Sequence, residues 1–411
     1  MRVLYIDPKF GNPRASSHAR VVRFAQRLKE RGHDVTVVGR DSCSLALDRT
    51  DGARSRGYAR GRLDGLDVVL LHVPYEQSFS KWKRILAYGG FTAAAAAAAA
   101  ALGPADAVVA SSSPLTIGIS GVTTSRLRRA AFVFEIQDLW PAIPIALGVL
   151  RSRAEIRTAE WLERRLYAAA ATVIVCSEGA SESLRARGVP ARKIVLIPNV
   201  ADVEHFRPDI VDPTFRERHG LEGKFVALYA GALGATNGID QLADAAEALA
   251  RAKEGRVVIA VAGNGTERAR LEQRARELPT LVMLPDVPRE EIPRIVGAAD
   301  ATITAFAPVP ALETNSPNKF FDSLAAGKPS VVNLDGWLRR LVEEHRAGVY
   351  VPAGDGQRLA GALAELAASP ELAAELGQNG RALAEREFSA DLLADRFADT
   401  VECAAMDRSN R

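Results

Sequence analysis

Residues 2–39 read RVLYIDPKFGNPRASSHARVVRFAQRLKERGHDVTVVG, and this stretch decides the fold. The run Val3-Leu4-Tyr5-Ile6 is apolar without alternation, which predicts a strand buried on both faces. A polar loop containing Gly11 follows, and then a helix starting at Ser16 or Ser17. Val21, Phe24, Ala25 and Leu28 recur three and four residues apart along that helix, and Gly32 closes it. A second β-branched run covers 34–39. Two continuous apolar strands joined by a helix make a parallel βαβ unit.

Working outward, the same grammar repeats. Runs at 66–73, 107–112, 131–137, 172–176 and 194–198 predict further strands of this first sheet, and runs at 225–231, 257–263, 281–285, 301–306, 329–334 and 348–352 predict a second. The boundary is expected between Pro198 and Pro208, where Ile197-Pro198-Asn199 ends a strand. The expected fold class is therefore α/β, with two doubly wound domains at 1–200 and 201–388. Segment 389–411 predicts a final helix, apolar at Leu392, Leu393, Phe397 and Val401.

A chain of 411 residues, 47% hydrophobic and 25% charged, suits two such cores. The net charge of +3 conceals a split, because residues 1–200 hold 29 Lys or Arg against 17 Asp or Glu, and the remainder 24 against 33. A basic first half favours acidic partners such as phosphates or anionic lipid. Its basic residues are scattered and form no nucleic-acid reading motif, so no nucleic-acid partner is expected. Cys43, Cys176 and Cys403 stand far apart, giving neither a disulfide framework nor a zinc pattern. With no signal peptide ahead of the first strand, the expected compartment is the cytoplasm.

Residues 85–102 carry no charge, and nine of them are the alanines 93–101. A helix of that length reaches about 27 Å, short of a hydrocarbon core of roughly 30 Å, and alanine favours helix more than insertion, so the segment is not expected to span a membrane. Lys81, Trp82, Lys83 and Arg84 precede it, with Tyr88 and Phe91 beyond. That mixture suits either an anionic lipid surface, at the inner face of the plasma membrane, or the solvated end of a sheet-covering helix.

The stretch with the clearest chemistry is Asn315-Ser316-Pro317-Asn318-Lys319-Phe320-Phe321-Asp322-Ser323-Leu324-Ala325-Ala326-Gly327-Lys328-Pro329. It predicts a short helix with Ser316 as N-cap, Pro317 at the first helical position, and Gly327 and Pro329 at its end. Lys319 and Asp322, three apart, are expected on one face of the first turn beside unpaired backbone N–H groups. Such a terminus favours a diphosphate, with Asp322 accepting the hydroxyls of a ribose; the same two residues also read as a local ion pair. None of the six histidines has metal-ligand spacing, and no Asp-x-Asp is present, so no metal or other cofactor is expected.

The stretch resembles the donor site of retaining GT-B glycosyltransferases of family 4. Asp7 to Ser16, Ala110-Ser111-Ser112-Ser113-Pro114-Leu115, Phe134-Glu135-Ile136-Gln137-Asp138-Leu139-Trp140-Pro141 and Ala230-Gly231-Ala232-Leu233-Gly234 extend the likeness over nearly the whole chain. The Asp-Leu-Trp-Pro and Ser-Pro-Asn-Lys signatures look like the WbuB-like subgroup. The resemblance implies two Rossmann-like domains facing across a cleft, a final helix crossing back to the first domain, and transfer from a nucleotide diphosphate sugar. The expected donor is a UDP-linked N-acetyl amino sugar, and the expected acceptor a glycan or polyprenyl-linked acceptor. A natural-product glycosyltransferase, a GT-B sugar-nucleotide epimerase and a non-catalytic nucleotide-sugar-binding subunit are the alternatives.

Carried over by position, Asp322 takes the place of the second glutamate of the family's Glu-x7-Glu motif. Thr314 stands where the first belongs, with Glu313 one residue out of register. The family's diphosphate-binding Arg and Lys correspond to Ala232 and Asn237, which leaves Lys319 and the amides of Gly231 to Gly234 as candidates to hold the phosphates. Gln137-Asp138 replaces the family's His-Asp pair. The implied catalytic set is Asp138, Lys319 and Glu313; the implied donor-binding set is Gly11, Arg14, Gly231, Gly234, Asn315, Ser316, Asn318, Lys319 and Asp322.

Overall fold

The structure is a computed structural model that describes residues 1–10, 16–41, 47, 49–50, 57–76 and 79–409. The chain divides into two compact units, Met1–Pro198 with Asp391–Arg411, and Asn199–Ala390.

In the first unit nine strands, β1 (Arg2–Ile6), β2 (Asp34–Arg40), β3 (Arg49–Thr50), β4 (Tyr58–Leu63), β5 (Leu66–Leu71), β6 (Ala107–Ser112), β7 (Ala131–Ile136), β8 (Thr172–Val175) and β9 (Ile194–Leu196), form one sheet. Their order is β3-β4-β5-β2-β1-β6-β7-β8-β9. All pairings from β5 to β9 are parallel, whereas β4 runs antiparallel to β5 and β3 to β4. β4 was not among the predicted strands because its residues alternate buried and exposed, as an antiparallel strand with one solvated face does. Its turn, Asp64-Gly65, has positive φ at both residues, the I′ geometry that the Asp-Gly pair signals.

The helix Ser16–Glu30 buries Val21, Phe24, Ala25 and Leu28 completely, as its periodicity predicts. The helix Ala390–Ser409 packs beside it, stacking Phe397 on Phe24 at 4.6 Å and on Tyr5 at 5.5 Å between centroids. Arg31 pairs with Asp395 at 2.7 Å and Asp399 at 2.6 Å, and His33 lies 2.7 Å from Glu402. Leu393, Phe397 and Val401 are buried, but Leu392 points outward because only the i, i+4, i+8 stripe meets the sheet.

The helix Lys81–Ala101 passes the length and composition test for a membrane span over Trp82–Ala101. It nonetheless lays Ala87, Phe91, Ala95 and Ala99 into the core, at the four-residue spacing of one helix face, while Trp82, Ile85 and Leu86 are exposed.

The second unit holds β10 (Phe225–Ala230), β11 (Val257–Ala262), β12 (Leu281–Met283), β13 (Ala301–Thr304), β14 (Ser330–Val332) and β15 (Gly348–Tyr350). Their order is β12-β11-β10-β13-β14-β15, all parallel. Both units are thus doubly wound α/β folds.

Candidate active site

In a doubly wound sheet the chain moves one way from one central strand and the other way from its neighbour, leaving a crevice at their carboxyl ends where ligands bind. In the second unit that point lies between β10, which leads to β11, and β13, which leads to β14. The loop after β10 begins at Gly231, and the helix Asn318–Ala325 follows β13. Both predicted halves of the donor site therefore flank one crevice.

Lys319 projects across it. Its ammonium donates to the Tyr229 hydroxyl at 2.7 Å and lies 4.0 Å from the Tyr229 ring centroid and 5.5 Å from that of Phe306. Gly231 makes room, since an added Cβ would lie 3.1 Å from both Cε and Nζ of Lys319. Among the described residues no carboxylate pairs with this ammonium, and burial lowers its pKa to about 7. The Tyr229 phenol cannot act as its counter-charge. Burial pushes that pKa up, and the hydroxyl donates to the Ala232 carbonyl at 2.8 Å.

Asp322 is shifted independently of Lys319. Burial raises its pKa to about 7, Arg289 opposes the rise and Asp202 adds to it; Lys319 and Asp322 form no ion pair. Lys319 and Asp322 are thus two separate half-buried groups and no local ion pair, each shifted by desolvation without the other as its partner.

Other parts of the predicted donor set are corrected. The helix starts at Asn318, with Pro317 in the capping position and making no side-chain cap. Ser316 lies one residue outside, where its Oγ accepts from the Asn199 N–H at 3.4 Å and its carbonyl from the Asn199 side chain. A proline at the cap has no side-chain acceptor, and the Phe320 amide donates instead to the Pro317 carbonyl at 3.1 Å. The amide of Gly231 donates to Ala262 and that of Leu233 to Asn264, both at 2.9 Å, and Gly234 donates to the Asn237 side chain at 3.3 Å. This loop is hence held against the Gly263-Asn264-Gly265 turn, and the amides of Gly231, Leu233 and Gly234 do not face a ligand. The turn needs its glycines, since Gly263 has φ +152 and an added Cβ would sit 1.8 Å from the Gly231 carbonyl.

Asn315 donates its amide to Leu312 at 2.9 Å and precedes the helix, and Asn318 opens it. Glu313 is exposed on the 3-10 turn Pro310–Thr314, and the Thr314 hydroxyl is turned back to the Ala311 carbonyl at 2.9 Å. Gly11 and Arg14 lie outside the described residues.

The first unit has its own switch point, between β1 and β6. Asp138, just beyond β7, accepts from the Ser113 hydroxyl at 2.7 Å and lies 3.8 Å from the Lys9 ammonium. Lys9 also donates to the Gln137 side-chain oxygen at 3.1 Å, and Gln137 donates to Asp7 at 3.3 Å. Burial pushes the Asp7 carboxyl up against the pull of Lys9. Ser113 has φ +118, a conformation L-residues seldom adopt and one that tends to occur where function fixes the backbone. Asp138 is thus turned toward a cluster at the carboxyl ends of β1, β6 and β7, away from the Trp140-Pro141 turn. Lys9 and Ser113 lie in stretches that carry the resemblance but are outside the candidate site set, because only the strand order brings these three loops together.

Beneath the cluster, Glu135 accepts from Tyr5 at 2.7 Å, from Ser111 at 2.5 Å and from Arg20 at 2.9 Å. Arg20 also donates to the Ile197 carbonyl at 2.9 Å and to that of Pro198. This buried ion pair ties β1, β6, β7 and the end of the unit together.

Two family models match the chain. Residues 17–200 match the glycosyl transferase 4-like domain and residues 211–383 match glycosyl transferases group 1. The chain is a glycosyltransferase of the GT-B fold. It is 25% identical over 252 residues to the alpha-D-kanosaminyltransferase of Streptomyces kanamyceticus, covering 58% of this chain and 62% of that protein. It is 25% identical over 356 residues to a GDP-mannose-dependent alpha-mannosyltransferase of Mycobacterium tuberculosis, 84% of this chain and 82% of that one. Among solved structures, Anabaena Alr3699/HepE in complex with UDP aligns with a TM-score of 0.70 at 18% identity, covering 98% of this chain and all of the other.

Proposed function

We propose that this glycosyltransferase is a retaining, metal-independent enzyme that takes a sugar from a UDP-linked donor, an N-acetyl amino sugar, and passes it to a lipid-linked or polysaccharide acceptor. The second unit holds the donor and the first holds the acceptor. The observation that carries the reading is the Lys319 ammonium, drawn out of water beside Tyr229 with no carboxylate partner among the described residues. Such a cation is costly until an anion joins it, and a diphosphate at this switch point is that anion. Asp322 accepts the ribose hydroxyls.

As the bond from the anomeric carbon to the departing phosphate oxygen breaks, negative charge grows on the leaving diphosphate, and Lys319 stabilises it. The acceptor hydroxyl adds to the same face of the sugar and gives its proton to the departing phosphate oxygen. Asp138, oriented by Ser113 and Lys9, receives that hydroxyl and faces the positive charge that develops on the sugar.

The lipid-linked acceptor is supported by the start of the helix Lys81–Ala101, where Trp82 is 72% and Leu86 74% exposed beside Lys83 and Arg84. Aromatic, aliphatic and basic side chains in one turn suit an anionic membrane surface at the cytoplasmic face. The WbuB-like signatures support the same assignment to surface polysaccharide. A small soluble acceptor is the second reading, supported by the likeness to the kanosaminyltransferase.

A thermal-shift panel of UDP, GDP and dTDP tests the donor site. UDP at a hundredfold excess over its Kd stabilises by about 2.7 kcal/mol, a rise of several degrees, and Lys319→Ala removes that rise. No shift with any nucleoside diphosphate ends the assignment.

A further inference from the structure

Arg40 closes β2, the strand beside β1, at the same carboxyl edge as Asp7 and Lys9. Its side chain is buried to 7% exposure, with the guanidinium 4.8 Å from the Tyr75 ring centroid and 5.2 Å from that of Phe91. Its Nε is buried without a hydrogen-bond partner, and no carboxylate pairs with it among the described residues. The adjacent Asp41 is buried with neither carboxylate oxygen hydrogen-bonded among the described residues; His72 Nδ1 lies 3.1 Å from it, and Asp41 makes no ion pair with Arg40. Cation–π contacts offset only part of the cost of desolvating a guanidinium, so among the described residues this charge has only the more distant Asp7 carboxylate acting on it and no paired counter-ion.

The walls supply a further donor. The Tyr75 and Tyr88 hydroxyls lie 2.9 Å apart, and burial pushes the Tyr88 phenol up. One proton bridges the pair and the other remains for an outside acceptor. Tyr88 and Phe91 belong to the helix that carries exposed Trp82 and Leu86 nearer its start, with Trp82 roughly 14 Å along the axis from Phe91.

We propose that Arg40, with the Tyr75 and Tyr88 hydroxyls, binds a phosphate or diphosphate group carried by the acceptor, whose hydrocarbon chain runs along the Trp82 and Leu86 turn. The proposal rests on the lipid-linked reading of the acceptor and names the part of it that the protein grips. Arg40 is a binding residue here and takes no part in bond breaking.

The test measures binding of farnesyl diphosphate, inorganic pyrophosphate and farnesol to the full chain by titration calorimetry, for wild type, Arg40→Gln, Arg40→Lys and Lys319→Ala. Farnesyl diphosphate should bind wild type and Lys319→Ala alike, weaken at least tenfold with Arg40→Gln, and weaken less with Arg40→Lys. Pyrophosphate should bind more weakly than farnesyl diphosphate but show the same dependence on Arg40, and farnesol should bind poorly. Equal binding of farnesyl diphosphate to wild type and Arg40→Gln, or farnesol binding as tightly as its diphosphate, overturns the proposal. UDP titrated into the same variants separates the two sites, because it should lose affinity only with Lys319→Ala. If Arg40→Gln does not fold, Arg40→Lys carries the comparison, and unchanged affinity there for both anions overturns the proposal.

Discussion

The Lys319 ammonium donates to the Tyr229 hydroxyl across 2.7 Å, and that hydroxyl donates onward to the Ala232 carbonyl across 2.8 Å. The phenol is thereby fixed as an acceptor for the lysine and cannot neutralise it. A cation held this way destabilises the empty protein and is available to an anionic ligand, the trade between stability and function common at binding sites. Lys319→Met should therefore raise the stability of the free protein by about 1–3 kcal/mol at pH 6, a value discounted for the partial exposure of the side chain. Chemical denaturation checks this. The folded pKa of about 7 lies below the ordinary 10.5, so the unfolded chain binds more protons between those values. Wild-type stability accordingly recovers as pH rises through that window, and the advantage of the methionine variant shrinks to nothing by its upper end.

Nucleotide binding should show the same group from the other side. Above pH 7 the free ammonium is largely deprotonated, and a diphosphate must draw a proton back, so UDP affinity carried by Lys319 falls by up to about tenfold per pH unit. Asp322 acts in the opposite sense, becoming the better acceptor for ribose hydroxyls as pH rises through about 7. Calorimetry in buffers of different ionisation enthalpy should find net proton uptake at pH 8. Asp322→Asn should weaken UDP roughly 10- to 100-fold and leave a monotonic fall of affinity with pH.

In the first unit, Asp138→Asn should lower kcat by roughly a hundredfold or more while leaving UDP binding unchanged, because Asp138 serves the acceptor and the developing charge. Ser113→Ala, which removes the 2.7 Å hydrogen bond orienting that carboxylate, should lower kcat by a smaller factor. Steady-state kinetics with a donor sugar and calorimetry with UDP separate the two effects.

The buried pair beneath this cluster is structural. Glu135→Gln leaves the Arg20 guanidinium buried without a counter-charge and should destabilise the protein by about 3–5 kcal/mol. Phe397→Ala, which empties the space against Tyr5 and Phe24, should cost a similar amount. Both are read by urea denaturation, and near-normal UDP affinity in the folded fraction separates them from the donor site.

The two sheets were legible because parallel strands buried on both faces leave continuous apolar runs, as at Val108 to Ala110 and Val257 to Ala262. β4 was not, since an antiparallel strand with one solvated face alternates, although its Asp64-Gly65 turn was a readable signal. Lys319 and Asp322 were visible through helix-end grammar, yet their failure to pair was not: spacing of three sets a shared face, while Gly231 and Tyr229, some ninety residues earlier, decide where the lysine points. The amides of the Gly231 loop looked available because their partners, Ala262 and Asn264, belong to a neighbouring strand's turn. Lys9 and Arg40 carry no local signature at all, and only strand order brings them to the carboxyl edge.

A crystal structure of the protein with UDP tests the central claim most directly. The predicted result has a diphosphate oxygen within hydrogen-bond reach of the Lys319 Nζ and the ribose hydroxyls on the Asp322 carboxylate. Nucleotide bound elsewhere, with Lys319 still bonded only to Tyr229, would contradict the account.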